Sequence, residues 1–425
     1  MRLRNIKDVV DWRLCLGCGV CAYICPESKI KLVDMVNDGI RPIVADEGCG
    51  PSCECLLACP GAEISHSPAV PAPGSIAGLQ QGWGPVLEIW EGYSADQEIR
   101  FHGSSAGLAT ALALYCLEKE AMYGVMHIAG DAEIPWRNKT VLSRDREALL
   151  KGTGSRYAPA SPCDSLDQIE AAPKPCVFVG KPCDVAGLRK AQALRPQLNG
   201  KIGIAIGIFC AGTPSTQGTL DLLQQCNVDP GAVAEIRYRG NGWPGRYTVR
   251  QKGEEHPAQH MSYQSAWGFL QKYRPYRCHL CPDGTGEFAD LSCGDPWYRE
   301  IEEDEPGYSL LVVRTERGRK ILHAARDAGY VVLARAENKK LEQAQKNLLG
   351  KRSAIWGRLI AMQAFGIPVP RLRGFSLFRN WCNLSITAKL RSIFGTAKRV
   401  IMREYYKPRR FYGHAKPETD KSAVL

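Results

Sequence analysis

The chain lacks any hydrophobic run that could cross a membrane. None of the apolar stretches in its 425 residues reaches the roughly 18–20 residues that a membrane span needs. Its first twelve residues hold no apolar segment of the kind found in a secretory signal, so we expect a cytoplasmic protein. No Gly-x-Gly-x-x-Gly follows a predicted strand, which argues against a Rossmann nicotinamide site.

An excess of positive charge is also missing from most of the chain. The formal net charge is +11, but residues 371–410 alone hold eleven Lys or Arg and one acid. Because nearly the whole excess lies in this one stretch, the composition does not predict a nucleic-acid partner.

Cysteine, by contrast, is abundant. The chain has 18 cysteines, eight of which fall between Cys15 and Cys59. In a reducing compartment disulfides are disfavoured, and clustered cysteines are more often metal ligands. The clustering therefore predicts metal centres in the first seventy residues.

The first cysteine run has the spacing C-x2-C-x2-C-x3-C-P, from Cys15 to Pro26. Two-residue gaps let three thiolates surround one [4Fe–4S] cube, while the fourth, Cys25, reaches a second cube. A zinc site with four thiolates is the alternative, but it needs only two C-x2-C pairs and leaves the Cys-Pro ending unexplained.

The second run, from Cys49 to Pro60, keeps the C-x3-C-P ending but has Ser52 where a cysteine is usual, followed by Cys53. Cross-ligation assigns the thiols as follows: Cys15, Cys18, Cys21 and Cys59 to cluster one, and Cys25, Cys49, Cys53 and Cys55 to cluster two. If Cys53 does not reach the cube, the second site would be a three-iron cluster. The two runs resemble a bacterial two-cluster ferredoxin.

Four further cysteines lie where a site above a sheet could form. Cys183 and Cys210 end apolar, strand-like runs near glycine, and Cys278 and Cys281 form another C-x2-C pair. The alternatives are redox or zinc chemistry for the pair and an ordinary buried thiol for the other two.

The pattern along the chain predicts a multidomain fold of the α+β and α/β classes. Strand-like runs at 175–180 and 201–210 alternate with helical patterns at 107–119 and 216–226, and residues 234–254 resemble a β-hairpin. The predicted parts are a two-cluster ferredoxin-like domain (1–66), a Pro/Gly-rich linker (67–84), two mixed α/β domains (85–175 and 176–350) and a helical basic tail (351–425).

An ordered series of short motifs identifies a family resemblance. The motifs are RFHGSSAG (100–107), GSRY (154–157), GKPCDVAGLR (180–189), FCAG (209–212), YRGNGWPG (238–245), RCHLC (277–281) and ADLSCGD (289–295). Between about residues 84 and 297 the chain resembles the beta subunits of deazaflavin coenzyme (F420) hydrogenases and dehydrogenases, a family that includes hydroxymethyl chlorophyll reductase. Each motif alone is weak, whereas the ordered series is specific.

The resemblance implies FAD and a third [4Fe–4S] cluster. Cys183, Cys210, Cys278 and Cys281 are the expected ligands of that cluster. The expected flavin-binding residues are Ser104, Ser105, Ala106, Gly107, Thr110, Gly154, Ser155, Arg156, Tyr157, Arg239 and Trp243. Ala106 replaces the family's usual glycine, and Arg156 replaces its lysine.

Three residues are candidates for proton transfer in the predicted site. Asp290 and Asp295 flank Gly294, and His102 lies in the first motif. A turn-forming role for the aspartates and an ordinary solvated histidine are the alternatives. Arg156 and Arg239 could stabilise a reduced flavin, or could be surface or ion-pair residues.

The leading hypothesis is an FAD and iron–sulfur oxidoreductase. It would exchange electrons with reduced ferredoxin or a partner redox subunit and transfer a hydride to or from a small organic acceptor. One alternative is a subunit specialised for the deazaflavin coenzyme in a hydrogenase or dehydrogenase complex. Others are a non-catalytic electron-transfer adaptor and a zinc-scaffold protein.

Residues 375–406 mix apolar and basic residues at near-helical spacing, so peripheral membrane contact, an acidic partner and packing on the chain itself all remain open.

Overall fold

We describe the protein from a computed structural model, in residues 3–25, 28–45, 54–66, 73–301 and 306–410. The strands are β1 (Ile30–Asp34), β2 (Ile40–Val44), β3 (Glu63–Ser65), β4 (Glu88–Ser94), β5 (Val125–Gly130), β6 (Asn138–Ser143), β7 (Cys176–Gly180), β8 (Ile202–Ile208), β9 (Val233–Arg237), β10 (Arg246–Gln251), β11 (Ala258–Ser262), β12 (Leu291–Gly294), β13 (Ser309–Val313), β14 (Val331–Arg335) and β15 (Arg371–Arg373).

Helices connect these strands and form most of the C-terminal region. They are α1 (Ile6–Asp11), α2 (Val20–Ile24), α3 (Glu54–Leu57), α4 (Gln80–Trp83), α5 (Gln97–His102), α6 (Leu108–Glu118), α7 (Arg146–Lys151), α8 (Leu166–Ala171), α9 (Pro182–Leu194), α10 (Thr216–Gln225), α11 (Tyr263–Leu270), α12 (Tyr276–His279), α13 (Glu316–Asp327), α14 (Lys339–Ser353), α15 (Ile355–Ala364), α16 (Leu377–Cys382) and α17 (Ile386–Met402). No helix in the described ranges is long and apolar enough to cross a membrane.

An eight-stranded mixed sheet forms the centre of the fold, in the order β14-β4-β13-β12-β8-β7-β5-β6. The four strands β12, β8, β7 and β5 are parallel, and the strands outside them pair antiparallel. Strand β8 has the sequence IGIAIGI and is buried almost throughout. A continuous apolar run suits this central position, because helices cover both faces of a parallel sheet.

The parallel strands β7, β8 and β12 direct their carboxyl ends to one edge of the sheet. Residues Lys181–Cys183 follow β7, Phe209–Cys210 follow β8, and Asp295 follows β12. Loops at this edge of an open α/β sheet are where ligands usually bind. The topology therefore places two of the predicted cluster thiols and one predicted catalytic carboxylate on the same side of the molecule.

The N-terminal residues pack against the large sheet's covering elements. Strands β1 and β2 form a separate antiparallel pair, while β3 pairs in parallel with β15. The Thr216 hydroxyl donates to Asp34 over 2.6 Å, and the Ser161 hydroxyl donates to the Gly17 carbonyl over 2.7 Å. These contacts join the N-terminal region to the α/β region and to the C-terminal segment.

The predicted elements of the α/β region are confirmed. The helical patterns correspond to α6 and α10, the apolar runs to β7 and β8, and the hairpin to β9 and β10, which gain β11 as a third strand. Strand β14 lies between α13 and α14. Residues 73–84 of the predicted linker hold α4, whose Trp83 is buried in the core.

Candidate functional site

Four thiols from the two N-terminal cysteine runs lie together. Burial raises the pKa of the Cys21 thiol well above 9.0, and the neighbouring Cys15, Cys59 and Cys18 thiols raise it further. Burial and the adjacent Cys15 likewise raise the pKa of Cys59 to about 11. Thiols in such surroundings remain protonated unless a metal takes the proton's place. The four are those that cross-ligation assigns to cluster one.

The backbone around Cys15 and Cys18 has the tight turns that such a loop needs. Gly17 has φ +70° and Gly19 has φ +87°, a left-handed conformation that glycine adopts without strain. At Gly19 a Cβ would lie 2.8 Å from the Asp164 amide nitrogen. The glycines therefore permit both the curl of the loop and its close contact with the α/β region.

The predicted second cluster is described only in part. Cys25 and Cys55 are buried, and Cys55 lies close enough to contribute to the raised pKa of Cys21. Cys49 and Cys53, the other two predicted ligands, lie outside the described residues. The assignment of cluster two therefore stays a prediction.

The third group of thiols comes from three separate parts of the chain. Burial raises the pKa of Cys210 to about 11, with neighbouring Cys278 and Cys281 adding to the rise. Burial also raises the pKa of Cys183 well above 9.0, as do nearby Cys210 and Cys281, while the Lys181 ammonium opposes the rise. The structure thus brings together all four thiols that the family resemblance assigned to a third cluster.

A cleft joins this third group to the first. It is lined by Cys183, Cys210, Cys278 and Cys281 from the α/β region and by Cys15 from the N-terminal region. Arg41, Lys181, Arg277 and Lys351 also line it, together with Asp38 and Asp283, so the charged side chains of the lining have a positive excess. Cationic surroundings favour the thiolate form, which is the form that ligates iron.

The thiol groups suit iron–sulfur cubes as donor sets. In a [4Fe–4S] cube each iron takes one cysteine, so the thiols stand farther apart than four ligands around a single ion. Among the described residues, no three His, Cys, Asp or Glu side chains are placed to hold a single metal ion. Sulfur-only donors, in fours and largely buried, are the ligands that such cubes use.

A second constellation lies beside the thiols, at the ends of β8 and β12. A Cβ on Gly294 would lie only 2.0 Å from the Phe209 ring, so Phe209 packs directly on the β12 backbone. Its neighbour Cys210 belongs to the third thiol group, and Asp295 follows Gly294. The consecutive residues Phe209 and Cys210 therefore connect the predicted flavin-binding region with the thiol cleft.

Asp295 is the centre of this region. It accepts two hydrogen bonds from the buried Arg239 guanidinium and one from Trp243 Nε1, over 2.9 Å. Arg239 also donates to the Ser104 carbonyl, and the Ser104 hydroxyl accepts from the Ser155 amide. Motifs as far apart in the chain as those of Ser104 and Asp295 thus meet at one place.

Other predicted residues surround this centre. The Ser105 hydroxyl donates to the Gly294 carbonyl over 3.2 Å. His102 Nδ1 lies 2.7 Å from Asn241 Oδ1, at the exposed rim. Ala106 has φ +52° and Gly107 has φ +66°, so the loop turns sharply before α6, and Thr110 lies in the first turn of that helix. Gly154 stands beside Ser104, where a Cβ would meet its hydroxyl at 3.9 Å.

The Arg156 side chain and Asp290 lie apart from this centre, whereas Tyr157 borders it through Tyr263, whose ring lies against the Arg239 guanidinium. The Arg156 guanidinium donates to Asn138 Oδ1 and to the carbonyls of Pro135 and Arg137, so it ties the β5–β6 connection together. Tyr157 packs in an aromatic cluster, with its ring 5.0 Å from that of Trp267.

Asp290 lies at the opposite end of β12 from Asp295. Its carboxylate accepts from Arg189, the Ala205 amide and the Thr315 hydroxyl, all within 2.9 Å. A carboxylate so enclosed holds neighbouring elements in place and has no open side for a substrate.

The region around Ser104 and Ser155 is compatible with a polar cofactor such as FAD. The Thr153 hydroxyl is buried without a hydrogen-bond partner among the described residues, as expected where a polar ligand completes the site. No described side chain caps the N-terminus of α6, which leaves first-turn N–H groups for a phosphate or a ring carbonyl.

Several residues of both sites gave no local signal in the sequence. Lys351 reaches the thiol cleft from α14, and Gln345 of the same helix donates to the Asp295 carbonyl over 2.9 Å. Tyr263 lies against Arg239, with the guanidinium carbon 4.4 Å from the ring centre. Their positions follow from helix packing, so only the motif residues could be found from sequence.

Two family models match the chain, and both describe the beta subunit of coenzyme F420 hydrogenase/dehydrogenase. Residues 89–166 match the model of the N-terminal part of that subunit, and residues 174–339 match the model of its C-terminal part. Both of the constellations described above draw most of their residues from these two ranges.

Curated relatives share about a quarter of their residues with the chain. The F420-dependent sulfite reductase of Methanocaldococcus jannaschii is 24% identical over 75% of this chain and 47% of its own length, so the chain spans about half of that protein. The coenzyme F420 hydrogenase beta subunit of Methanosarcina barkeri is 26% identical over 54% of this chain and 75% of its own length. The F420-dependent formate dehydrogenase beta subunit of M. jannaschii is 25% identical over 60% and 63%.

A solved structure shares the fold. One chain of the F420-reducing [NiFe] hydrogenase complex from M. barkeri aligns with a TM-score of 0.52 and 23% identity, over 72% of this chain and 99% of that chain. At this identity the likeness describes the fold only. It agrees with the predicted mixed α/β multidomain class, whereas the ferredoxin-like N-terminal domain stays a prediction.

Proposed function

Because the chain belongs to the coenzyme F420 hydrogenase/dehydrogenase beta subunit family, we propose that it is the redox subunit that passes electrons between iron–sulfur clusters and the deazaflavin coenzyme. The relatives' names favour this alternative over an unspecified organic acceptor, because they are F420-dependent hydrogenases, dehydrogenases and a sulfite reductase. The partner would be another redox subunit or reduced ferredoxin, as the sequence suggested.

The observation that carries the proposal is the shared thiol cleft. Cys15 from the N-terminal region and four thiols from the α/β region line the same cavity. Iron–sulfur clusters bound by these thiols would supply one-electron transfer. Since both thiol groups border one cleft, the protein would hold the two centres close together, with Lys181 and Lys351 offsetting the negative charge of the ligands.

The second constellation supports a flavin between the clusters and the coenzyme. A hydride carries two electrons and clusters pass one at a time, so an intermediary that handles both is needed; FAD would supply this chemistry. The proposed protein contacts are the hydroxyls of Ser104, Ser155 and Thr153 and the first turn of α6. Arg239, held by Asp295, would fix the Ser104 loop in place beside the cofactor.

The test is anaerobic purification followed by quantitation of iron, sulfide and flavin. We expect about twelve irons and one FAD per chain, from three four-iron clusters. Reduced F420 should then reduce a viologen dye in the presence of the protein. Iron without flavin or F420 activity would instead indicate an electron-transfer adaptor, and zinc in place of iron would contradict the proposal.

A further inference from the structure

Helix α17 presents a row of large apolar side chains to solvent. Ile386, Leu390, Phe394 and Ile401, here called the apolar stripe, are 75%, 49%, 65% and 57% exposed. Because an α-helix turns 100° per residue, these positions fall on one face of the helix. With 17 residues the helix is about 25 Å long, and the stripe follows most of that length.

The opposite face of α17 fixes the direction in which the stripe points. Ser392, Thr396 and Val400 are buried. The Trp381 indole donates to the Ser392 hydroxyl over 3.1 Å, and a Cβ on Gly357 would collide with that hydroxyl, so α15 packs closely here. The helix is therefore anchored on the protein, and the apolar stripe is a fixed outward surface.

The charge around the stripe has one sign. Helix α17 contains Lys389, Arg391, Lys398 and Arg399 and no acidic residue. Arg391 and Lys398 are exposed and fall on the helical row next to the stripe. Nearly the whole positive excess of the chain lies between residues 371 and 410, so this surface is the most basic part of the protein.

We propose that the apolar stripe of α17 binds the surface of an anionic lipid bilayer. Helices that lie in a membrane interface combine a row of Leu, Ile and Phe with Lys and Arg on the adjoining face. A bilayer can contact the whole 25 Å length of the helix. Its acyl chains would pack against the apolar stripe, and its anionic headgroups would bind the cations beside the stripe. A second copy of the chain would instead bring equal positive charge against this face, which is unfavourable.

The experiment is co-sedimentation of the full-length, cluster-loaded protein with lipid vesicles. The vesicles consist of phosphatidylcholine alone or of phosphatidylcholine and phosphatidylglycerol in a two-to-one ratio. We expect strong binding to the anionic vesicles and weak binding to the neutral ones.

The double variant Leu390→Ser/Phe394→Ser should lower the partition constant by about tenfold or more for each side chain removed. Arg391→Gln and Lys398→Gln should each lower it about fivefold.

Matched controls replace exposed residues elsewhere. Val332→Ser removes an exposed aliphatic side chain from β14, and Lys139→Gln removes an exposed charge from β6; neither should change vesicle binding. Iron content and circular dichroism should be the same in all variants. No binding to the anionic vesicles, or equal binding by the Leu390/Phe394 variant, would overturn the proposal. A dimer that this variant converts to a monomer would also overturn it, because the stripe would then pair two copies of the chain.

Discussion

Arg239 and Asp295 form a two-bond ion pair inside the protein. Arg239 Nη1 lies 2.9 Å from Asp295 Oδ2, and Arg239 Nη2 lies 2.7 Å from Asp295 Oδ1. The Arg239 side chain is only 2% exposed. The pair joins the β-hairpin that starts with β9 to the end of β12, so the position of the Arg239 charge depends on both elements.

Asp295→Asn should therefore destabilise the protein. Removal of one partner of a buried pair leaves a charge uncompensated, which typically costs about 3–5 kcal/mol of the free energy of unfolding. Anaerobic urea titration measures the loss. Asp327→Asn breaks an exposed pair with Arg326 and should change the free energy by less than about 1 kcal/mol. Equal effects of the two variants would show that the Arg239 pair has no special role.

Cys210→Ala should remove about four irons per chain, because Cys210 belongs to the third thiol group. Cys293→Ala is the matched control. Cys293 is also buried, but it lies in β12 among the apolar core residues and does not line the thiol cleft. Iron assays and low-temperature EPR measure the outcome. An unchanged iron content in the Cys210 variant would contradict the third cluster.

Lys351→Gln should lower the reduction potential of the cleft cluster. Burial raises the pKa of the Cys281 thiol, and the Lys351 ammonium opposes that rise, so the two groups interact electrostatically. A nearby positive charge stabilises the reduced, more negative cluster. Its loss should lower the potential by tens of millivolts, on the order of 1–2 kcal/mol. Lys351→Arg keeps the charge and should leave the potential close to that of the wild type in an EPR-monitored redox titration.

The Glu287 carboxylate should make stability fall in acid. Burial alone would raise its pKa, but Arg352 and His66 outweigh burial and hold the pKa below the ordinary value of 4.5. A carboxylate with a lowered pKa in the folded state stabilises the protein fully above pH 4.5. This contribution is lost as the pH falls through the pKa of the folded state.

Thermal unfolding of the wild type and Glu287→Gln between pH 7 and pH 4 tests this expectation. The wild type should lose stability faster than the variant below about pH 4.5. Glu98→Gln, at an exposed ion pair with Arg146, should follow the wild-type curve. Parallel curves for the wild type and Glu287→Gln would contradict the lowered pKa.

Short-range features were readable from the sequence. The central strands β7 and β8 appear as apolar runs ended by glycine or cysteine, because a strand buried on both faces has no polar side. The Cys15, Cys18 and Cys21 spacing predicts ligands of one cube, since three thiols this close in the chain can curl around a single centre. The family resemblance added the four thiols of the third group.

Contacts between distant segments were not readable in the same way. Asp290 and Asp295, both candidates for proton transfer, do not meet in one site, because they lie at opposite ends of β12. Arg156 matched a family motif, yet its guanidinium is fully used by nearby oxygens. No local sequence pattern could show that the hydrogen-bond donors of Arg156 are taken up by oxygens of neighbouring residues.

The sequence by itself determined which residues are candidates for the chemistry: the cysteines, through their spacing, and the motif residues, through their order along the chain. Only the tertiary structure decided that Cys15 and the third thiol group border one cleft, that Lys351 enters it, and that the stripe of α17 faces outward. The physical reason is that spacing along a chain fixes local geometry, whereas such long-range contacts are set by the packing of whole helices and strands.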